Sequence, residues 1–319
     1  MARAPLLPLL LLLASCGGDG SRPEGVVRIG HFPNITHAQA LIAHHRSRAG
    51  AGFFEERLGV RVEWYVYNAG PSAMEALLSG AIDFAYVGPN PAINAHVRSR
   101  GEEVRVIAGA AEGGSALVVR EGSGIRAATD LAGRTVATPQ LGNTQDVAAR
   151  AWLAEQGFEV TLTGGDVRVL PTHNPDQLAL FQRGALDAAW TVEPWVSRLE
   201  LEAGGTILVE DPAALTTVVV ASARLVAQEP DLVRRFAAAH AELTRWLAEH
   251  PAEGKAEVRA EIAALTEFEL PEPLVERCWP RLRFTAEARP EAFADFLGRA
   301  QRAGLIPEAA SLEKLVVTP

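Results

Sequence analysis

Two segments of the chain match each other in order and spacing, and this internal repeat constrains the fold more than any other feature. Placing Gly80 on Gly184 aligns SGAIDFAYV with RGALDAAWT, so that Tyr86 falls on Trp190. Both copies read as a turn with proline, a helix, a glycine, an acidic residue, a buried strand and a second turn. Two copies are well short of a solenoid array, so the repeat predicts two α/β lobes of related build.

The rest of the chain alternates between strand-like and helix-like runs. VVRIGHF at 26–32 is rich in β-forming residues, and a helical stretch separates it from GVRVEWYVY. Such alternation predicts sheets with parallel strands and crossover helices. From about residue 230 to 305 apolar residues recur instead at helical spacing, as in DLVRRFAAAHAELTRWLAEH. We therefore predict an α/β body with a helical C-terminal region.

Six loops combine Gly, Pro, Asn or hydroxyl residues at points where a strand would lead into a helix. In open α/β sheets, ligands bind beyond the carboxyl ends of the strands. Helix N-termini there offer unpaired N–H groups and a partial positive charge. Two lobes with these edges facing each other would enclose a cleft, and we predict the ligand site in it. The loops are residues 31–36, 68–72, 88–90, 113–115, 141–144 and 190–195.

The N-terminus is typical of an export signal. Residues 6–14 are almost wholly apolar and follow Arg3, a run too short to span a bilayer but suited to the core of a secretory signal. LASC at 13–16 resembles a bacterial lipobox, in which Cys16 becomes the lipidated first residue; the alternative is an ordinary signal with a chance cysteine. We predict a lipoprotein signal over 1–16 and a flexible tether over 17–25. The protein is then periplasmic or on the outer face of the cytoplasmic membrane, anchored through Cys16.

Composition argues against some partners and some ligand chemistries. A formal net charge of -9 argues against nucleic acid, which favours a basic patch. Cys278 has no disulfide partner once Cys16 is lipidated, so packing must supply the stability. Lysine occurs only at Lys255 and Lys314, both outside the six loops. The predicted site therefore lacks a lysine.

Three motifs resemble the nitrate/sulfonate/taurine group of periplasmic solute-binding proteins, which serve ABC importers and are related to binders of thiamine-pyrimidine precursors. They are NAGPSAMEALLSGAIDFAYVGPNPA, the GNT loop that opens a helix, and LFQRGALDAAWTVEPW. The resemblance extends from about residue 26 to 306. It implies a type II-like, two-lobed periplasmic-binding-protein fold in which each lobe is a mixed sheet flanked by helices. The ligand cleft lies between the lobes. It further implies a monomer that delivers a small solute to an ABC permease and needs no cofactor.

The resemblance also implies a division of the chain into lobes. Two strands would cross between the lobes, near residues 116–120 and 217–221. Lobe 1 would comprise 26–118 and 217–319, so that the C-terminal helices rejoin it. Lobe 2 would comprise 119–216.

An organosulfonate, such as taurine or an alkanesulfonate, suits these loops best. A sulfonate spreads its charge over three weakly basic oxygens, so hydroxyl and N–H groups can bind it without a counter-charge. Nitrate and bicarbonate binders of the group rely on a pocket lysine. A pyrimidine or thiamine precursor, nitrate and a phosphonate-like anion stay open as alternatives. The predicted ligand-binding residues are His31, Phe32, Asn34, Gly70, Ser72, Asn90, Ser115, Asn143, Thr144, Trp190 and Glu193.

Several members of this set have a second interpretation. Glu193 would repel a bare anion, which favours a ligand with an amine at its other end, as in taurine; the alternative is an inter-lobe salt bridge. Ser72 and Asn143 are also typical helix caps. Trp190 is also typical of a strand in the core. For each of these residues, the direction of the side chain decides between ligand contact and a structural role.

Metal binding and catalysis are the competing functional classes. Histidines cluster near the first loop, but His44 and His45 are adjacent on a predicted helix and point in different directions, and no cysteine ligand accompanies them. We predict no metal site, with a site drawn from both lobes as the less favoured alternative. A fungal pyrimidine-precursor synthase of the superfamily requires a cysteine-rich motif that this chain lacks. The chain also lacks the nucleophile-elbow, phosphate-loop and dinucleotide motifs, so we predict no enzymatic activity.

Overall fold

The computed structural model describes residues 25–319, and the predicted signal, the lipidation site Cys16 and nearly all of the tether lie outside that range. The strands are β1 Val26–His31, β2 Arg61–Val66, β3 Phe84–Val87, β4 Val104–Gly113, β5 Ser115–Val119, β6 Thr135–Thr138, β7 Arg168–Pro171, β8 Ala188–Val192, β9 Thr206–Glu210, β10 Leu215–Ser222 and β11 Leu282–Phe284. The helices are α1 Ala38–Arg48, α2 Phe53–Leu58, α3 Gly70–Leu78, α4 Pro89–Arg98, α5 Thr144–Glu155, α6 Asn174–Gln182, α7 Trp195–Ala203, α8 Ala223–Gln228, α9 Pro230–Glu249, α10 Pro251–Thr266, α11 Glu272–Cys278 and α12 Pro290–Arg302. Short 3₁₀ helices cover Ile35–His37, Ala128–Leu131 and Trp279–Arg281.

The strands form two separate mixed sheets flanked by helices, as predicted. The first sheet has the order β11-β4-β10-β3-β1-β2, and the second has the order β7-β6-β8-β5-β9. In the first sheet β1 is parallel to β2 and β3, whereas β10 is antiparallel to β3 and β4. In the second sheet β6 is parallel to β7 and β8, whereas β5 is antiparallel to β8 and β9. Each sheet therefore forms the centre of one lobe.

The internal repeat corresponds to equivalent units in the two sheets. The first copy is α3 followed by β3, and the second copy is α6 followed by β8. In each copy the acidic residue before the strand binds an arginine beside the parallel neighbouring strand. Asp83 accepts from the Arg28 guanidinium at 3.0 and 3.1 Å, and Asp187 lies 3.5 Å from Arg134. The repeated Gly-Ala-aliphatic-Asp sequence thus marks the start of a central strand in both lobes.

The chain passes between the sheets at two places, both a few residues before the predicted crossings. β5 pairs wholly within the second sheet and β10 wholly within the first, so residues 116–119 and 217–221 lie inside strands rather than between lobes. The passages are Gly113–Gly114 and residues 211–214. Gly113 and Gly114 have φ of +73° and +68°, a conformation that glycine adopts without a Cβ penalty. The predicted divisions after 118 and after 216 therefore fall within β5 and β10.

The C-terminal helices pack on the first sheet. Phe236 of α9 stacks between Phe84 of β3 and Phe54 of α2, with ring centroids 4.0 and 4.7 Å apart. Cys278 at the end of α11 is fully buried in the same core. Between residues 25 and 319, none of the helices combines the length and the hydropathy of a bilayer-crossing segment.

Candidate functional site

A small inner cavity of about 30 Å³ lies where the loop ends of the two sheets meet. We call it the inner cavity and define it by the residues that line it. Its walls come from both lobes. They are Phe32, Asn34, His37, Asn68, Ala69, Gly70, Gly88, Pro91 and Thr216 from the first, and Pro139, Asn143, Thr144, Gln145, Asn174 and Val192 from the second. None of these described lining residues is Lys, Arg, Asp or Glu.

Four helices of eight residues or more begin at the inner cavity. They are α3, α4, α5 and α6, whose first residues or N-caps line it. Proline occupies the first turn of α3, α4 and α6, where its fixed φ suits a helix start and its missing N–H costs nothing. Within residues 25–319, no side chain caps these three helices. Their first N–H groups and positive dipole ends are thus directed at one small space.

Two asparagines of the inner cavity have their amide oxygens occupied. The Asn34 Oδ1 accepts from Trp195 Nε1 at 3.3 Å, a contact that joins the lobes. The Asn174 Oδ1 accepts from Thr191 Oγ1 at 3.1 Å. Both asparagines are more than nine-tenths buried. Each therefore keeps its NH₂ group for whatever occupies the cavity.

The start of α5 likewise has an amide whose oxygen is occupied and whose NH₂ group is not. Asn143 caps the helix by accepting from the Asp146 backbone N–H at 2.8 Å through Oδ1. Its Nδ2 donates to Gln145 Oε1 at 3.2 Å. The Gln145 oxygen is thereby occupied and its NH₂ group remains as a donor. The predicted cap interpretation of Asn143 is confirmed, and Asn143 also lines the cavity.

His37 lines the inner cavity as a neutral imidazole. It is 2% exposed, and burial holds its pKa well below the ordinary value, with a smaller contribution from His31. The Phe32 backbone N–H donates to His37 Nδ1 at 3.3 Å. In a neutral ring with Nδ1 accepting, the proton is on Nε2. His37 is therefore a donor without a charge.

Thr144 has an unused hydroxyl at the contact between the lobes. Its Oγ1 is buried and has no hydrogen-bond partner among residues 25–319. A Cβ placed on Gly88 of the other lobe would lie 2.1 Å from this oxygen. The first turns of α4 and α5 consequently approach each other as closely as a glycine allows.

A larger outer cavity of about 430 Å³ adjoins the inner one, and Asn34, Asn68 and Asn174 line both. We call it the outer cavity. Its apolar walls are Pro33, Pro194, Trp195, Ile262, Phe268 and Leu270. The Arg198 guanidinium lies 4.7 Å from the Trp195 ring centre and 4.0 Å from that of Phe268, and it pairs with Glu202. Asp176, also at this cavity, is exposed. The outer cavity thus presents a mainly apolar, aromatic surface with its cation already paired.

Of the residues predicted from the sequence to bind ligand, the structure brings five together around the inner cavity: Phe32, Asn34, Gly70, Asn143 and Thr144. The other six do not line it. Ser72 donates to the Ala69 carbonyl at 2.8 Å, within its own helix start. Asn90 is 1% exposed, and neither of its amide atoms has a partner among residues 25–319.

His31, Ser115 and Trp190 have partners away from the inner cavity. His31 is buried, with Nε2 3.0 Å from His44 Nδ1 and its ring edge against Trp64. Trp190 donates through Nε1 to Ser115 Oγ at 3.2 Å, and it packs in the core of the second sheet. Ser115 of β5 and Trp190 of β8 therefore satisfy each other, and His31 is satisfied within the first lobe.

Glu193 turns away from the inner cavity and forms a buried inter-lobe ion pair. Its carboxylate is 2.9 Å from the Arg281 guanidinium, and it accepts from the Ser197 hydroxyl and backbone N–H at 2.8 and 3.0 Å. Arg281 follows α11 and also binds Glu200 at 2.7 Å. Burial lowers the pKa of Arg281, but the hydrogen bonds that it donates to the Glu200 and Glu193 carboxylates outweigh burial and raise it. The structure thus favours the salt-bridge interpretation over a carboxylate facing the ligand.

Sequence reasoning missed several residues of the two cavities. His37, Gln145 and Asn174 line the inner cavity, and Trp195 and Phe268 line the outer one. A signal existed for Asn174, because Asn174-Pro175 opens the second repeat copy as Gly70-Pro71 opens the first. Phe268 lies two residues after the end of α10, far from every candidate loop in sequence. No three His, Cys, Asp or Glu side chains within 25–319 come together in a metal-binding group.

Comparison with known proteins identifies the family and the fold of the chain. The sequence profile of the NMT1-like family matches residues 20–266. A Bacillus subtilis (strain 168) protein with the provisional name aliphatic sulfonates-binding protein is 26% identical over 258 residues, covering 77% of this chain and 73% of its own. The taurine-binding periplasmic protein of Escherichia coli (strain K12) is 28% identical over 211 residues, 64% of this chain and 63% of its own, just under two thirds of its length.

Among solved structures, the fold matches that of the alkanesulfonate-binding protein SsuA from Xanthomonas axonopodis pv. citri bound to MOPS. The TM-score is 0.76 at 20% identity, and the match covers 94% of this chain and 100% of the other. At that identity the likeness shows the fold alone. The chain belongs to the NMT1-like family and has the two-lobed periplasmic-binding-protein fold.

Proposed function

We propose that the protein binds an organosulfonate between its lobes and delivers it, chemically unchanged, to an ABC importer. The observation that carries this proposal is the convergence of four helix N-termini on an inner cavity whose described lining has no ionised side chain. Helix N-termini bind anions through backbone N–H groups and the dipole. A weakly basic monoanion needs no more than this.

The outer cavity accounts for the organic part of the ligand. The outer cavity, at about 430 Å³, is already within the range of typical small-molecule sites, which run from about 300 to 1,000 Å³. Burial of an apolar tail against Trp195 and Phe268 contributes about 25 cal/mol for each Å² removed from water. Nitrate would leave the outer cavity unfilled. An alkyl or aryl sulfonate therefore suits the site better than an inorganic anion.

Taurine is the second candidate, because Asp176 lines the outer cavity and could pair with an ammonium group. The name of the E. coli relative points the same way. Asp176 is exposed, however, and an exposed ion pair is worth only about 0–1 kcal/mol. We therefore rank an apolar sulfonate above taurine.

Calorimetric titration and thermal unfolding of the soluble domain with hexanesulfonate, taurine and nitrate test this proposal. We expect affinity to fall in that order. A ligand at a hundredfold excess over its Kd stabilises the folded protein by about 2.7 kcal/mol. Absence of binding by both sulfonates would overturn the proposal, and mass spectrometry of the released ligand would reveal any chemical change.

Anchoring through Cys16 is part of the same proposal, and the folded domain beyond the tether would then remain near its permease. The observation behind it is the lipobox-like LASC motif. Cys16→Ser should release the protein from the membrane fraction. A Cys16→Ser protein that still sediments with membranes would refute lipidation.

A further inference from the structure

We infer that the inner cavity selects its anion by protonation state, accepting a sulfonate and rejecting a phosphonate, and that Asn34, Asn174 and Gln145 determine this selectivity. The inference rests on the proposed function and extends it. It names a basis for choice between two head groups of similar size and shape. What carries it is the direction of the hydrogen bonds already made around the cavity.

The buried amide groups present donors to the cavity. The oxygens of Asn34, Asn174 and Gln145 accept at 3.3, 3.1 and 3.2 Å from other protein groups. Their NH₂ groups have no acceptor among residues 25–319. The Nδ1 of His37 accepts from the backbone, so its remaining ring nitrogen also donates. Helix N-termini add backbone donors from four directions.

A second observation indicates that an external group completes this site. The Thr144 hydroxyl is 5% exposed and unpartnered within 25–319, although it lines the cavity. A buried polar atom without a partner costs about 1–3 kcal/mol. An anion's oxygen in the inner cavity would accept from this hydroxyl and remove the cost.

The two head groups differ in what they require from such a cavity. A sulfonate near neutral pH is a monoanion whose three oxygens only accept. A phosphonate has a second ionisation near or somewhat above neutrality, higher than the value of about 6 for phosphate esters, because carbon withdraws less electron density from phosphorus than an ester oxygen does. Below that pH its P–OH needs an acceptor, and the oxygens of the three buried amides, Asn34, Asn174 and Gln145, are occupied. Above that pH it carries a second charge, which a buried site without a cation does not compensate.

Titration of the wild-type protein with hexanesulfonate and hexylphosphonate, at about pH 6 and about pH 8, is the direct test. At both pH values we expect hexylphosphonate to bind about 100-fold more weakly than hexanesulfonate. The monoanion lacks an acceptor for its P–OH, and the dianion lacks a cation for its second charge. Equal affinities would overturn the inference and leave the proposed function standing. Failure of both ligands to bind would overturn the proposed function itself.

Asn174→Asp provides the variant test. Thr191 can still donate to one oxygen of the new carboxylate. The other oxygen replaces the Asn174 NH₂ group, which would donate to the ligand. Hexanesulfonate affinity should fall about 100-fold through like-charge repulsion. Hexylphosphonate at about pH 6 should lose much less, because its P–OH gains an acceptor. Asn94→Asp on α4, which adds the same charge outside both cavities, should leave both affinities within about twofold. Equal losses for the two ligands would contradict the inference, and the wild-type comparison decides it if Asn174→Asp does not fold.

Discussion

At the scale of single residues, buried polar side chains in this protein differ in where their partners come from. Glu193 receives three hydrogen bonds from Ser197 and Arg281, so its needs are met within the chain. Thr144 and Asn90 are buried with polar atoms that have no partner in the described chain. Natural proteins seldom leave such groups unpaired. Both remain predicted ligand contacts, but only Thr144 lines the inner cavity, whereas Glu193 has a structural explanation.

Glu193→Gln should lower stability rather than ligand affinity. The substitution removes the charge that faces Arg281 in a buried site, and hydrogen bonds to charged groups contribute about 1.5–3 kcal/mol each. We expect the free energy of unfolding in urea to fall by about 2 kcal/mol. Ligand affinity, measured by calorimetry, should change by less than about threefold, because the carboxylate does not line either cavity.

Glu210→Gln is the matched control for this prediction. Glu210 also faces Arg281, at 3.6 Å, but its side chain is 27% exposed. A pair of this kind contributes about 0–1 kcal/mol. A Glu193→Gln protein of unchanged stability that binds ligand tenfold more weakly would return Glu193 to the ligand site.

At the scale of secondary structure elements, helix starts assemble the inner cavity. The first turns of α4 and α5 belong to different lobes, and Gly88 lets them approach. Because residues of both turns line the inner cavity, the distance between these turns contributes to its size. The close approach of the two turns requires glycine at this position. The backbone conformation does not, because a φ of -69° is open to any residue.

Gly88→Ala should therefore preserve the fold and weaken binding. The added methyl group would lie 2.1 Å from Thr144 Oγ1 and 3.2 Å from its Cβ, so the lobes must separate slightly or the threonine must rotate. Overpacking of this kind costs about 1–3 kcal/mol, which corresponds to about 5- to 150-fold in Kd for hexanesulfonate. Gly164→Ala, with open space around the added methyl group, should bind as the wild type does. Wild-type affinity in Gly88→Ala would contradict the closed contact.

Sequence patterns predicted the elements well and the side-chain directions less well. Turn, proline and helix signals located the loops that contain Asn34, Gly70 and Thr144, because backbone conformation depends mainly on neighbouring residues. The partner of Glu193 is Arg281, and Trp190 on β8 donates to Ser115 on the neighbouring strand β5. Such partners are far apart in sequence, so local patterns do not show which side chains the protein uses for itself.

At the scale of the whole molecule, two short passages join the lobes and several contacts bridge the cleft. Gly113 and Gly114 have left-handed φ values beside Arg281 and Leu282, so the first passage has no room for side chains. Across the cleft, Trp195 binds Asn34. Hinged domains of this form close around ligands by rotation about a few connecting residues. We expect the arrangement described above to be the closed state.

Small-angle scattering of the soluble domain should then show a smaller radius of gyration with saturating hexanesulfonate than without it. Binding shifts the population towards the state in which donors from both lobes reach one head group. The same data should give the mass of a monomer in both conditions. Identical curves with and without a ligand that calorimetry shows to be bound would argue against closure.

The absence of ionised side chains from the described lining of the inner cavity also bears on the medium in which the protein would work. Outside the cytoplasmic membrane, ionic strength follows the surroundings, and dissolved ions screen exposed charges over about 8–10 Å at moderate concentrations. Helix dipoles and amide donors enclosed between two lobes are largely shielded from those ions. Capture by enclosed dipoles should therefore vary little between dilute and saline water, so the protein could scavenge its solute in either.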